Sequence, residues 1–165
     1  ELNYLVSNEK HYWSDYFKKI KGKKIGLVIR TETSKHKNIN FEELQFFLKK
    51  NLDKNFFLID LNPNEEMFNY QNNFSNLFVL SDIDKNNPFE DTFNIIKKLD
   101  LLISIDTAAV HLAGYLKIRT ILLLNFPHHY YWGINEKSSI YYENFEIIRA
   151  TKTNDWFNVI KNIKI

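Results

Sequence analysis

Along the chain, short apolar runs alternate with segments in which apolar residues return every three or four positions. The runs IGLVI (25–29), FFLID (56–60), NLFVLS (76–81), LLISI (101–105), TILLLN (120–125) and FEIIRA (145–150) predict strands, IGLVI a central one because it is β-branched and flanked by charge. In KHYWSDYFKK (10–19), Tyr12, Trp13, Tyr16 and Phe17 fall at helical spacing, and Gly22 would end that helix. FEELQFFLKK (41–50) puts Phe41, Leu44, Phe47 and Leu48 on one helical face. FEDTFNIIKK (89–98) predicts a further helix, and TNDWFNVIKNI (153–163) a closing one, capped by Thr153 or Asn154. The Asn-rich stretch between the second and third strands reads as a connection. Strands and helices alternate almost throughout, with no repeat and no internal linker. The pattern predicts a single α/β, Rossmann-like domain over 1–165, a mostly parallel sheet with helices on both faces.

Such sheets bind ligands beyond the carboxyl ends of their strands, near the point where the strand order reverses. Four loops qualify: 31–40, 61–67, 81–88 and the junction at 106. In LLISIDTAAVHLAG (101–114) a buried strand ends at Ile105 and turns at once into a helix. Asp106 or Thr107 can cap that helix, and the amides of its first turn attract phosphate or carboxylate. Ala108 and Ala109 leave the approach open, whereas the charge of Asp106 repels a phosphate, which gives Asp106 a capping and loop-orienting role. His111, one turn on, can donate toward the same spot. The spacing alone favours an ordinary cap and a core histidine bonded to a carbonyl.

The loop RTETSKHKNIN adds the hydroxyls of Thr31, Thr33 and Ser34 and the cations of Lys35 and Lys37, just past the first strand. Those lysines fit an anion site or a solvated loop. No GxGxxG or GxxxxGK occurs and the chain holds only 4 glycines, so a dinucleotide dehydrogenase is disfavoured. His128 and His129 are adjacent rather than spaced for a helical metal site, and no GxSxG motif is present. The aromatic stretch YYWG (130–133), with Tyr141 and Tyr142, fits core or interface, or a wall against a sugar or base ring.

Composition narrows the classes. With 44% hydrophobic and 16% aromatic residues the chain is globular rather than disordered. Twenty-two basic against 20 acidic residues, mostly scattered, remove the electrostatic case for nucleic acid or a membrane surface. The absence of cysteine excludes disulfides and thiolate chemistry, and no apolar run approaches membrane-spanning length. A cytoplasmic protein is expected. The chain starts at Glu1 and its single methionine is Met67, which suggests a domain cut from a longer polypeptide.

The segment KKLDLLISIDTAAVHLAGYLKIRTILLL resembles the signature of glycosyltransferase family nine, the heptosyltransferase-like enzymes, and of the glycosyltransferase domains that follow tetratricopeptide repeats. Weaker likenesses follow in order: KIGLVIR with KHKNINFEEL, IDLNPNEE, PHHYYWGINEKSSIYYENFEIIR and DWFNVIKNI. Together they span about residues 23–163. The resemblance implies the C-terminal, donor-holding half of a two-domain GT-B enzyme acting in surface-polysaccharide or glycoconjugate synthesis. It implies that Thr31 and Lys35 contact donor phosphates or sugar, that Thr107 and Ala108 take the pyrophosphate at the helix start, that Glu65 or Glu66 lies near the ribose, and that His111 supports the phosphate site; Lys37 and Asp106 complete the expected donor-binding set.

Transfer would then be metal-independent and inverting, from a nucleotide-diphosphate sugar to a saccharide, lipid-linked or protein acceptor, with the acceptor-activating base outside this chain. No cofactor is expected. The sequence departs from the family pattern at Ala108, often Gly; at Lys37, usually Arg; and at His128, His129 and Glu136, which replace aspartates and an arginine. The alternatives are a non-catalytic interaction module that keeps the fold, and a different α/β nucleotide-binding enzyme.

Overall fold

A computed structural model describes residues 11–165. Six parallel strands form one sheet: β1 (Lys24–Val28), β2 (Asn55–Ile59), β3 (Leu77–Leu80), β4 (Leu101–Ile105), β5 (Thr120–Leu124) and β6 (Phe145–Arg149), in the order β3-β2-β1-β4-β5-β6. The helices are α1 (His11–Lys18), α2 (Phe41–Lys50), α3 (Glu65–Asn73), α4 (Pro88–Ile96), α5 (Ala108–Tyr115) and α6 (Trp156–Lys161). Parallel neighbours need crossovers, and helices supply them between β1 and β5. The expected Rossmann-like α/β fold is therefore present, with every strand pairing parallel.

Successive strand side chains point to opposite faces, so each apolar run feeds two cores. Ile25, Leu27, Phe56, Leu58, Leu101, Ile103, Ile121 and Leu123 pack with Leu44, Leu48, Met67 and Trp156 from α2, α3 and α6. Val28, Phe57, Ile59 and Leu102 pack on the other side with Trp13, Phe17, Ile95 and Ala113 from α1, α4 and α5. A third cluster joins Leu122, Leu124, Phe145 and Ile147 to Trp132.

Three local expectations change. The Asn-rich stretch holds α3, which Asn64 starts by accepting a hydrogen bond from the Met67 amide at 3.1 Å, with Glu65 and Glu66 in the first turn of the helix, where acids suit its dipole. The closing helix is shorter than 153–163 and neither Thr153 nor Asn154 caps it: Asn154 adopts a left-handed backbone (φ 58) and its amide donates 2.9 Å to Asn125. The first helix ends at Lys18, before Gly22, and Lys10 lies outside the described residues.

Gly26 faces the second core from the middle of β1. A Cβ there would run into Leu99 and stand 3.1 Å from Leu102 Cδ1 and 3.2 Å from Ile59 Cδ1. All three side chains are buried and have little room to yield. Gly26→Val is expected to cost about 1–3 kcal/mol by overpacking, read as a lower midpoint in urea unfolding, whereas an unchanged midpoint would mean that these side chains repack freely.

Candidate functional site

The strand order reverses between β1 and β4, because the chain returns from the β3 edge through α4 to the far side of β1. The connections leaving β1 and β4 diverge there, and a crevice opens beyond their carboxyl ends. It holds a cavity of about 290 Å3, lined by Thr31 after β1, Asp60 and Asn62 after β2, Phe89 and Thr92 of α4, and Thr107 and Ala108 at the start of α5. A neighbouring cavity of about 250 Å3 shares Arg30, Thr31 and Glu32 and adds Lys35, Asn38 and Glu66.

Thr107 stands at the N-cap of α5, with its backbone extended (φ −142, ψ 174), yet its side chain makes no capping hydrogen bond. The Thr107 hydroxyl lies 3.5 Å from that of Ser104. The α5 start meets the cavity at Thr107 and Ala108, and Ala108 is exposed.

Asp106 does not cap. Its carboxylate is buried, with its side chain 7% exposed, and is held from three directions. Lys37 Nζ donates to Oδ2 at 2.9 Å and to the Asp106 carbonyl at 3.3 Å, the Trp132 indole donates to Oδ1 at 3.1 Å, and the Tyr131 hydroxyl lies 3.3 Å from Oδ1. His129 Nε2 sits 3.9 Å from Oδ2 and its ring stacks on Tyr131. Burial works to raise the Asp106 pKa, but the Lys37 and Trp132 hydrogen bonds outweigh it and hold the carboxyl below its ordinary value. Burial and the adjacent Asp106 charge push the Tyr131 phenol up to about 12.

The expected residues thus separate. Thr31, Thr107 and Ala108 line the larger cavity, while Lys35 and Glu66 line the second one together with Thr31. Lys37 and Asp106 lie beneath the junction as an ion pair, bordering only a small recess with His128. His111 points away from the larger cavity: its ring stacks on Trp132 and its Nδ1 lies 2.9 Å from the Tyr142 hydroxyl. Glu65 is exposed on α3 and lines neither cavity.

Several residues of the site are absent from the sequence-based set. Asp60 and Asn62 line the larger cavity at the end of β2, and Arg30 lies between the two cavities, its Nε 3.4 Å from Asp60 Oδ2. Asn125 is buried and fully bonded: its amide nitrogen donates to the His36 carbonyl and to Asn154 Oδ1, and its oxygen accepts from the amides of Phe126 and Asn154. It ties the end of β5 to the Lys35–Lys37 turn. An Asn at the end of an apolar strand was the one available signal. The aromatic stretch proves structural at Trp132, which is buried, and Arg149 fixes the same segment by donating to the carbonyls of Trp132 and Glu136. Among the described residues no cluster of His, Cys, Asp or Glu is fit to hold a metal ion, and no helix is long and apolar enough to cross a membrane.

No family model and no curated protein sequence matches this chain. Solved structures do. E. coli heptosyltransferase WaaC with ADP-2-deoxy-2-fluoro heptose superposes with a TM-score of 0.65 at 16% identity, over 96% of this chain and 45% of that one. The same enzyme with ADP gives 0.63 at 18% identity, over 85% and 44%. The fold is shared with a glycosyltransferase. The chain spans less than half the length of either structure, and at this identity the likeness establishes the fold alone.

Removing the Lys37 cation leaves a buried carboxylate with only neutral donors. Lys37→Met is expected to destabilise the domain by about 3 kcal/mol at pH 7, and adding Asp106→Asn to recover most of that loss, because an amide oxygen still accepts from Trp132 without a charge; urea unfolding of the two variants measures both. The folded Asp106 pKa lies below its unfolded value of about 3.9, so its contribution is complete above that pH and fades as pH falls through the folded pKa. The stability gap between the wild type and Asp106→Asn should therefore stay level from pH 7 to about 5 and close below about 4. A gap that is flat down to pH 2.5 would contradict the assigned ion pair.

Proposed function

We propose that this chain is the donor-binding domain of an inverting glycosyltransferase that uses a nucleotide-diphosphate sugar. The observation that carries the reading is the uncapped start of α5, facing a cavity at the point of strand-order reversal whose walls combine hydroxyls with apolar side chains. The fold shared with a heptosyltransferase that has been solved with ADP and with an ADP-sugar analogue supports it.

In this reading the diphosphate rests against the α5 start, with Thr31 and Thr107 supplying hydroxyls, and the sugar extends toward the second cavity and Lys35. The acceptor oxygen attacks the anomeric carbon as the bond from that carbon to the diphosphate oxygen breaks. The leaving diphosphate keeps the electron pair, and the acceptor proton passes to a base supplied from outside this chain. Helix amides and the Lys35 ammonium stabilise the charge that grows on the diphosphate, in the role that a divalent cation fills in other transferases. Lys37 acts through Asp106: the pair fixes the height of the junction from which the amides project. The acceptor is a saccharide, a lipid-linked glycan or a protein in surface-polysaccharide or glycoconjugate synthesis.

Calorimetric titration with ADP, GDP and UDP tests the reading. At least one diphosphate is expected to bind, and Lys35→Ala to weaken it by roughly tenfold or more, the value of one charge-assisted hydrogen bond. If none of the three binds at millimolar concentration, the chain is not a donor domain and the interaction-module alternative takes its place.

A further inference from the structure

We propose that the amino end of the sheet, opposite the cavities, is a basic face that docks on a bilayer of anionic phospholipid. The inference goes beyond the donor-site reading and does not depend on it.

Basic residues that lie scattered along the chain are gathered by the fold. In a parallel sheet with helical crossovers, each helix ends and each following strand begins at the same end of the molecule. KKIKGKK (18–24) joins α1 to β1 there, KK (49–50) closes α2, and KK (97–98) follows α4. KIR (117–119) leads into β5, and Lys161 closes α6 with Lys164 beyond it. Lys19, Lys21, Lys117, Arg119, Lys161 and Lys164 are all exposed. Among the described residues the acids at this end are fewer. Asp15 and Asp53 pair with Lys18 and Lys54, Asp100 accepts from the Lys24 amide at 2.7 Å, Glu146 stands 4.0 Å from Arg119, and Glu143 is exposed.

Lysines in the last turns of α1, α2 and α6 suit the negative ends of those helices. Helix dipoles do not account for Lys21, Lys23, Lys24, Arg119 and Lys164, which lie beyond the helix ends. The carboxyl end has the opposite sign, with Glu42, Glu43, Glu65, Glu66, Glu90 and Asp91 in the first turns of α2, α3 and α4. A molecule with ends of opposite sign turns its basic end to an anionic surface and leaves its cavities facing away from that surface.

Apolar side chains at the same end favour a bilayer over a nucleic acid. Leu52 in the turn before β2 and Tyr115 at the end of α5 are exposed, as are Ile140 and Tyr141 in the segment that leads into β6. Tyr142, next in the chain, lies over Gly114 of α5, and Asn144 donates to the Lys117 carbonyl at 2.9 Å, which sets this segment beside the basic residues. Aliphatic and tyrosyl groups between lysines gain by entering the headgroup boundary of a bilayer. A phosphodiester backbone offers Leu52 and Ile140 nothing comparable. The lysines meet lipid phosphates at the same time, and each adds attraction within a Debye length of the surface.

The test is co-sedimentation of the whole chain with vesicles of phosphatidylcholine alone and of equal parts phosphatidylcholine and phosphatidylglycerol. Binding is expected to the mixed vesicles only, and to weaken roughly tenfold as salt rises from about 0.1 to about 0.5 M. Lys21→Glu should weaken it about fivefold, the value of one lysine charge near an anionic surface, and Lys19→Glu, Lys21→Glu and Lys164→Glu together roughly a hundredfold. Lys85→Glu, which makes the same change on an exposed residue of the carboxyl end, should leave binding unaltered. Binding that is absent, or equal on the two kinds of vesicle, overturns the proposal. So does a loss from Lys85→Glu as large as that from Lys21→Glu, or a DNA duplex that strips the chain from the mixed vesicles at an equal concentration of phosphate.

Discussion

The buried carboxylate of Asp106 fastens together three stretches of chain that no backbone ladder connects. Lys37 reaches it from the turn that precedes α2, Trp132 and Tyr131 reach it from the segment between β5 and β6, and its own backbone makes the corner from β4 into α5. A buried ion pair of this kind adds little net stability, because desolvation consumes much of the Coulombic gain. Its effect is positional. With one carboxylate satisfied by a cation and two ring donors, the turn, the aromatic segment and the helix start have few other arrangements available without stranding a charge in the core.

Above that corner the crevice owes its shape to two plainer constraints. Strand order reverses between β1 and β4, so the loops leaving them part and leave space that neither fills. Small residues at the start of α5 then keep the space open, since Ala108 and Ala109 line it where longer side chains would fill it. Arg30 stands between the two cavities and pairs with both Glu32 and Asp60, which gives the crevice charged groups of both signs next to apolar walls. The combination suits a ligand with a polar and an anionic end joined to a flat apolar one.

Much of this architecture is readable from the residues in order. Each apolar run became a strand within about a residue of the expected ends, because a run of β-branched and aromatic side chains between polar flanks has few other ways to be buried on both faces. FEELQFFLKK became α2 without a shift. The helix α3 is hard to read because polar residues make up most of its sequence and only Met67 is fully buried, although Asn64 followed by Glu65 and Glu66 is a legible start signal. Thr31, Thr107 and Ala108 were legible as cavity residues because their places follow from strand ends. Asp60 was equally well placed at a strand end, but a single acid after a strand carries no chemistry until its exposure and partners are known.

The sequence by itself determined the alternation of elements, from which a parallel sheet follows, and the position of the strand-to-helix corner, because each element and the corner depend on contacts within a turn or along a single run. Tertiary structure alone decided what Asp106 and Lys37 do. They stand 69 residues apart, and Trp132 lies 26 residues beyond Asp106, so their meeting depends on the order in which β1, β4 and β5 lie side by side. Local spacing cast Asp106 as a cap and left Lys37 a loop cation for an anion or for solvent. Burial instead turned each toward the other, since a carboxylate sealed under a helix start needs a cation more than the helix needs a side-chain cap.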